Sequence, residues 1–164
     1  MKRFFLFLVF ALLAPVAGCR GQEIIVDMSK TTTDTNATPV NFSSEVAKAN
    51  RDNKLLLLEF SSSDACPPCV LLQQRVFSSP EFMSFAKTNL DFVRLDFPMK
   101  VDLRPDTAAT NMLLAQQFEA YGFPTFVAID RNGKEFWRQV GINVALLEPT
   151  NFINMLKGAE KKKQ

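Results

Sequence analysis

The chain has 164 residues, 47% of them hydrophobic and 22% charged, with a formal net charge of +2, which suits one compact domain with some excess at its ends rather than two domains. Its 19 basic residues are nearly matched by 17 acidic ones, a balance that argues against nucleic acid as a partner. There is no histidine and there are three cysteines, too small a set of soft ligands for one chain to build a structural zinc site.

Taken in chain order, Lys2 and Arg3 precede an apolar run from Phe4 to Ala14. The run is too short for an ordinary spanning helix and reads as a signal peptide over residues 1–18. It ends in Val16-Ala17-Gly18-Cys19, which resembles the bacterial lipobox, where small residues precede a cysteine that becomes lipidated. The resemblance implies an acyl anchor on Cys19 that holds the protein at a membrane without a spanning segment. The alternative is a leader that receives no lipid and carries an incidental cysteine. Parity favours the anchor, because lipidation of Cys19 leaves Cys66 and Cys69 as a pair with no odd thiol in an oxidising compartment. The expected location is the bacterial cell envelope, facing the periplasm. Arg20 stands where enteric inner-membrane lipoproteins carry a retention aspartate, which by resemblance favours the outer membrane.

Residues 19–39 are rich in Thr, Ser, Asn and Asp and read as a flexible tether. Ile24 to Val26 interrupt it and offer an alternative edge strand. Residues 40–164 form the expected domain. Ser43 or Ser44 can cap a helix running to about Asn53. Lys54 to Phe60 is almost continuously apolar, as a strand buried on both faces requires. A helix after Cys66 is expected to bury Val70, Leu71 and Phe77, to break at Ser78-Ser79 and to restart at Pro80. Residues 91–97 alternate as a second strand. Residues 98–110 are polar, contain Pro98 and Pro105, and read as a long loop. Met112, Leu113, Ala115 and Phe118 make a helical stripe read as core. Strands at 124–130 and 134–140 flank an Asn132-Gly133 turn, and Pro149 starts a last helix. The order implies a mixed sheet covered on both faces.

Two motifs carry the chemistry. Cys66-Pro67-Pro68-Cys69 follows the first apolar strand, and Tyr121-Gly122-Phe123-Pro124-Thr125 leads into a later one. Two residues between cysteines at a helix start bring the sulfurs close enough to close a small ring, so the pattern points to thiol–disulfide chemistry. The unpaired amides and positive dipole end of the helix favour a thiolate on Cys66, the expected nucleophile, with Cys69 more buried and resolving. Pro67 and Pro68 suit the first helical turn, where a missing N–H costs little.

Together with Leu55–Phe60 and Val140-Gly141, these motifs resemble the thioredoxin family over residues 41–161. The nearest likeness is to periplasmic members with one extra residue between the first core strand and the CxxC. The resemblance implies an α/β thioredoxin fold, a central mixed β-sheet flanked by helices on both faces. It implies a cis peptide at Pro124, exposing the Phe123 backbone to an extended substrate. It makes Glu59 the buried carboxylate that shuttles a proton to the resolving cysteine, with a solvent-facing glutamate at the strand end as the alternative. Arg94, on the expected neighbouring strand, is a candidate partner for it. Pro67, Pro68, Phe123, Thr125 and Gly141 are assigned to the surface that meets substrate.

The implied function is that of a lipid-anchored envelope thiol–disulfide oxidoreductase that reduces or isomerises protein or peptide disulfides. It would use no cofactor and would be recharged by an unidentified membrane electron donor. A non-catalytic binding module or chaperone with a structural disulfide is the alternative. Two features depart from the family pattern. Ala65 stands where Trp usually precedes the first cysteine, and Asp64 beside it would oppose a Cys66 thiolate if left unscreened. The absence of a histidine between the cysteines points to a reducing or intermediate potential.

Overall fold

In a computed structural model of the chain, which describes residues 35–161, Leu55–Ser61 (β1) is buried along its whole length. Such a strand needs neighbours on both edges and cover on both faces. Leu90–Asp96 (β2) pairs with it in parallel, Glu59 opposite Arg94. Thr125–Ile129 (β3) pairs on its other edge antiparallel, Phe60 opposite Thr125. Glu135–Val140 (β4) continues the sheet beyond β3, with an irregularity between Ala128 and Ile129. Among the described residues this gives a four-stranded mixed sheet in the order β2-β1-β3-β4.

Alternation along β1 divides the core into two layers. Leu55 and Leu57 face a cluster with Leu72, Phe77, Phe82, Phe126 and Phe152, whereas Leu56, Leu58 and Phe60 face one with Ala49, Leu114, Ala115 and Phe118. The first layer is covered by Pro67–Leu72 (α2), Pro80–Asn89 (α3) and Pro149–Lys161 (α5). The second is covered by Phe42–Arg51 (α1) and Pro105–Gln117 (α4). The expected fold class is therefore the one observed, with helices on both faces of a mixed sheet.

Several local expectations need correction. The cap of α1 is Asn41, whose side chain accepts the Ser44 amide at 3.0 Å, and Ser43 and Ser44 lie inside the helix. Val70 is half-buried and Leu71 exposed, because the core-facing positions after the CxxC are Cys69, Leu72, Val76 and Phe77. Between α2 and the Ser78-Ser79 break the backbone widens into a π-helical turn over Gln73–Phe77, in which the Ser78 amide reaches the Gln73 carbonyl at 3.1 Å. Ser79 then caps α3 ahead of Pro80.

The loop expected over 98–110 ends at Arg104, since Pro105 opens α4 in the first-turn position that proline favours. Met112 and Leu113 are exposed rather than core. The buried side of α4 is Thr107, Asn111, Leu114 and Ala115, because two of its positions are polar side chains satisfied internally. The Asn111 amide donates to the Asp96 carbonyl at 2.9 Å, and the Thr107 hydroxyl donates to the Ala37 carbonyl at 2.6 Å. Fixed contacts of the domain thus reach back to residue 37. The expected signal peptide, Cys19 and Ile24–Val26 lie outside the described residues. No helix among the described residues is long and apolar enough to cross a membrane.

Candidate active site

The C-terminal end of β1 runs into residues 62–65 and then α2, which begins at the first cysteine. Cys66 is the N-cap residue, with extended backbone, and its sulfur accepts the Cys69 amide at 3.2 Å. Pro67 and Pro68 have no amide hydrogen, so the donor that reaches this sulfur is supplied by Cys69. The two cysteines form a disulfide with a Cα–Cα separation of 5.2 Å. Both are buried, Cys66 at 7% exposure and Cys69 at 3%. Cys66 opens onto a shallow depression lined also by Asp64, Ala65, Pro67, Val70 and Leu71.

Because β1 lies between β2 and β3, the ends of those two strands flank the disulfide. On the β3 side the Phe123–Pro124 peptide is cis. The Pro124 carbonyl accepts the Gly141 amide at 2.8 Å, and the Thr125 hydroxyl donates to the Gly122 carbonyl at 2.7 Å. Pro124 and Thr125 are buried, and Phe123 is 37% exposed. Pro67 and Pro68 are exposed.

Glu59 lies on the face of β1 that α2 covers, in register with Leu55 and Leu57, and is fully buried. Its Oε2 accepts from Arg94 Nε at 2.7 Å, and Oε1 has no hydrogen-bond partner. The solvent-facing alternative for Glu59 is therefore not what the fold adopts. Burial pushes the Glu59 carboxyl above its ordinary 4.5, and the Arg94 charge opposes that rise in part. Arg94 is itself held over aromatic faces, its guanidinium carbon 5.5 Å from the Phe77 ring centroid and 6.0 Å from that of Phe92.

On the β2 side lie contacts that the sequence pattern did not indicate. Asp64 accepts the Met99 and Lys100 amides, one on each carboxylate oxygen, both at 2.8 Å. These donors, Met99 first, hold its carboxyl below the usual aspartate value, so its charge is screened rather than directed bare at Cys66. Asp96 in turn accepts the Ser63 amide and hydroxyl at 2.8 and 2.7 Å. The Phe97 ring stacks on Phe123, centroids 5.2 Å apart and planes at 25°. Such side-chain contacts to a distant backbone have no periodicity to announce them. Among the described residues no three His, Cys, Asp or Glu side chains converge as a metal would require.

The arrangement holds a disulfide-bonded cysteine pair, a buried carboxylate on the sheet face that α2 covers and a cis X-Pro peptide at the start of β3. Comparison with known proteins agrees with this geometry. A family described as the thioredoxin-like domain matches residues 42–158. The disulfide bond reductase DsbH of Chlamydia pneumoniae is 33% identical over 98 residues, which cover 60% of this chain and 59% of that protein. The match thus spans less than two thirds of the curated relative's length. A solved structure of a DsbH oxidoreductase is 27% identical with a TM-score of 0.65, covering 80% of this chain and 92% of that one. A disulphide isomerase from Xylella fastidiosa Temecula1 shares the fold at 17% identity and a TM-score of 0.53, over 72% of this chain and 87% of its own.

Proposed function

The chain belongs to the thioredoxin-like family, and on that premise we propose that it is a thiol–disulfide oxidoreductase of the bacterial envelope that reduces protein or peptide disulfides. The observation that carries this reading is the Cys66–Cys69 disulfide closed across the first turn of α2, at the mouth of an open depression. A disulfide kept only to brace the fold has no use for such an opening.

In the reduced protein the Cys66 thiolate attacks one sulfur of the substrate disulfide. The substrate S–S bond breaks, a mixed disulfide forms on Cys66, and the departing substrate thiolate takes up a proton. Cys69 then loses its proton and attacks the Cys66 sulfur. The second substrate thiol leaves, and the enzyme disulfide closes. Two electrons pass from the cysteine pair to the substrate, whose two departing thiolates take up protons from solvent. Glu59 is the proposed acceptor of the Cys69 proton, since burial raises its proton affinity and Arg94 steadies the anion. Phe123, Thr125, Gly141, Pro67 and Pro68 are the proposed contacts for substrate.

A lipid on Cys19 would keep the domain at the membrane, with the outer membrane favoured, and a membrane electron donor would restore the dithiol. Support for the anchor is the Val16-Ala17-Gly18-Cys19 sequence, and Cys19→Ser is expected to move the protein from the membrane to the soluble fraction.

The deciding measurement is the potential of the Cys66/Cys69 pair in glutathione and dithiothreitol buffers. A value near the thioredoxin range, about −270 mV, is expected of a reductase. A value near about −120 mV would mean a disulfide donor and would sink the reductase direction. A protein that holds unfolded clients but turns over no disulfide would be a binding module instead.

A further inference from the structure

Asp64 occupies a position that a redox site would be expected to keep free of negative charge. Its carboxylate lies in the loop that leads to Cys66 and lines the same depression. Both of its oxygens are engaged, however, by the consecutive amides of Met99 and Lys100. Paired charge-assisted bonds of this kind fix the relative position of the two segments that they join. One is the cysteine loop, and the other is the stretch that leaves β2.

That stretch is secured at two further points. The Phe97 amide donates to the Ser61 carbonyl at 2.8 Å, and Phe97 stacks on Phe123 next to Pro124. The result is a rim with two walls, one from the end of β2 and one from the Phe123–Pro124 segment, joined by the aromatic stack. Of the two residues whose amides Asp64 holds, Met99 carries an apolar side chain that is 79% exposed and Lys100 an exposed cationic one, and Val101, 44% exposed, follows them.

We propose that Asp64 is a positioning residue for substrate. It clamps the Met99–Val101 wall beside the disulfide, so that polypeptide disulfides long enough to touch both walls are selected over small ones. This rests on the oxidoreductase reading and names the substrate class of that site.

The test uses a Cys69→Ser background, which retains the mixed disulfide on Cys66, reacted with insulin as polypeptide probe and glutathione disulfide as small probe. Adding Asp64→Ala is expected to lower the ratio of the two trapping rates, insulin over glutathione disulfide, by about fivefold. Asp64→Asn, which keeps one acceptor oxygen, should fall in between. Met99→Ala, at an exposed side chain that folding does not need, should lower the same ratio. Hydrogen exchange at the Met99 and Lys100 amides should quicken about tenfold in Asp64→Ala.

An unchanged ratio with faster exchange would show that the wall is not used, and unchanged exchange would deny the clamp. Equal loss toward both probes would assign Asp64 to the sulfur and also overturn the proposal. A Cys69→Ser protein that traps neither probe would instead sink the oxidoreductase reading, and this inference with it.

Discussion

The sheet face under α2, α3 and α5 is packed with aromatic rings, whereas the face under α1 and α4 is mostly aliphatic and fastened by buried polar contacts. On the first face Phe77 lies within 5.0–6.2 Å of the ring centroids of Phe82, Phe92, Phe126 and Phe152. The same face carries the CxxC helix and the Glu59–Arg94 pair. On the second, Thr107 and Asn111 reach across from α4 to backbone carbonyls. The contrast teaches that aromatic packing and the buried carboxylate–guanidinium pair share one layer here. Rings that fill the core also flank the guanidinium that faces the buried carboxylate. The other layer ties α4 to the end of β2 and to residue 37 through Asn111 and Thr107.

The largest expected effect tests whether the aromatic layer is the mainstay of the fold. Phe77→Ala should destabilise by about 3–5 kcal/mol, since it removes the hub of the ring cluster and one of the rings over Arg94. Leu114→Ala on the opposite face should cost about 2–3 kcal/mol. Urea unfolding of both variants decides, and equal losses would break the comparison.

The next effect separates charge from packing within the aromatic layer. Glu59 holds its proton in the folded protein to a higher pH than its ordinary 4.5. The folded state therefore binds more protons than the unfolded chain between 4.5 and the raised value, and stability falls as pH rises through that window. Glu59→Gln should flatten that segment of the stability profile. Arg94→Met should extend the falling segment to higher pH, because the charge that opposes burial is gone. At neutral pH it should cost about 3 kcal/mol, the loss expected when one member of a buried pair is left alone. Denaturant midpoints measured from pH 4.5 to 8 would show a parallel wild-type and Glu59→Gln profile if the carboxyl were not perturbed.

On the second face, Asn111→Ala should cost about 1–2 kcal/mol by leaving the part-buried Asp96 carbonyl without its side-chain donor. Asp96 also binds Ser63 through its carboxylate. The same variant should therefore loosen the cysteine loop, read as faster exchange at the Ser63 amide.

These two layers also explain what the sequence disclosed. The continuous apolar run of β1, the Asn132-Gly133 hairpin and the Pro149 start of α5 each carry a strong local signal, and each was read close to its observed bounds. The CxxC spacing disclosed the disulfide, and the cis peptide at Pro124 followed from the family resemblance of the X-Pro-Thr. The register of α4 was hidden, since Met112, Leu113 and Leu114 are consecutive and only the polar Thr107 and Asn111 mark the inward side. The Glu59–Arg94 pair depended on strand register, which the residue pattern leaves open and the parallel pairing of β1 with β2 fixes. Asp64 binds backbone in a segment remote in sequence, so only the folded chain reveals what its charge does.

The smallest expected effect lies in the hairpin, at the far end of the second face from the disulfide. Gly133 adopts φ +78°, and a Cβ built there would meet Phe42 at 3.6 Å and Val46 at 3.9 Å, ordinary contact distances. Space is therefore not the obstacle, and the cost of Gly133→Ala is that of a left-handed backbone, about 1 kcal/mol. Asparagine tolerates that conformation better than alanine, so Gly133→Asn should cost less although its side chain is larger. If the larger side chain proved worse, packing against α1 rather than backbone strain would set the limit. In either variant the Cys66/Cys69 equilibrium with glutathione should stay at the wild-type value, because this turn shares neither the aromatic layer nor the rim of the site.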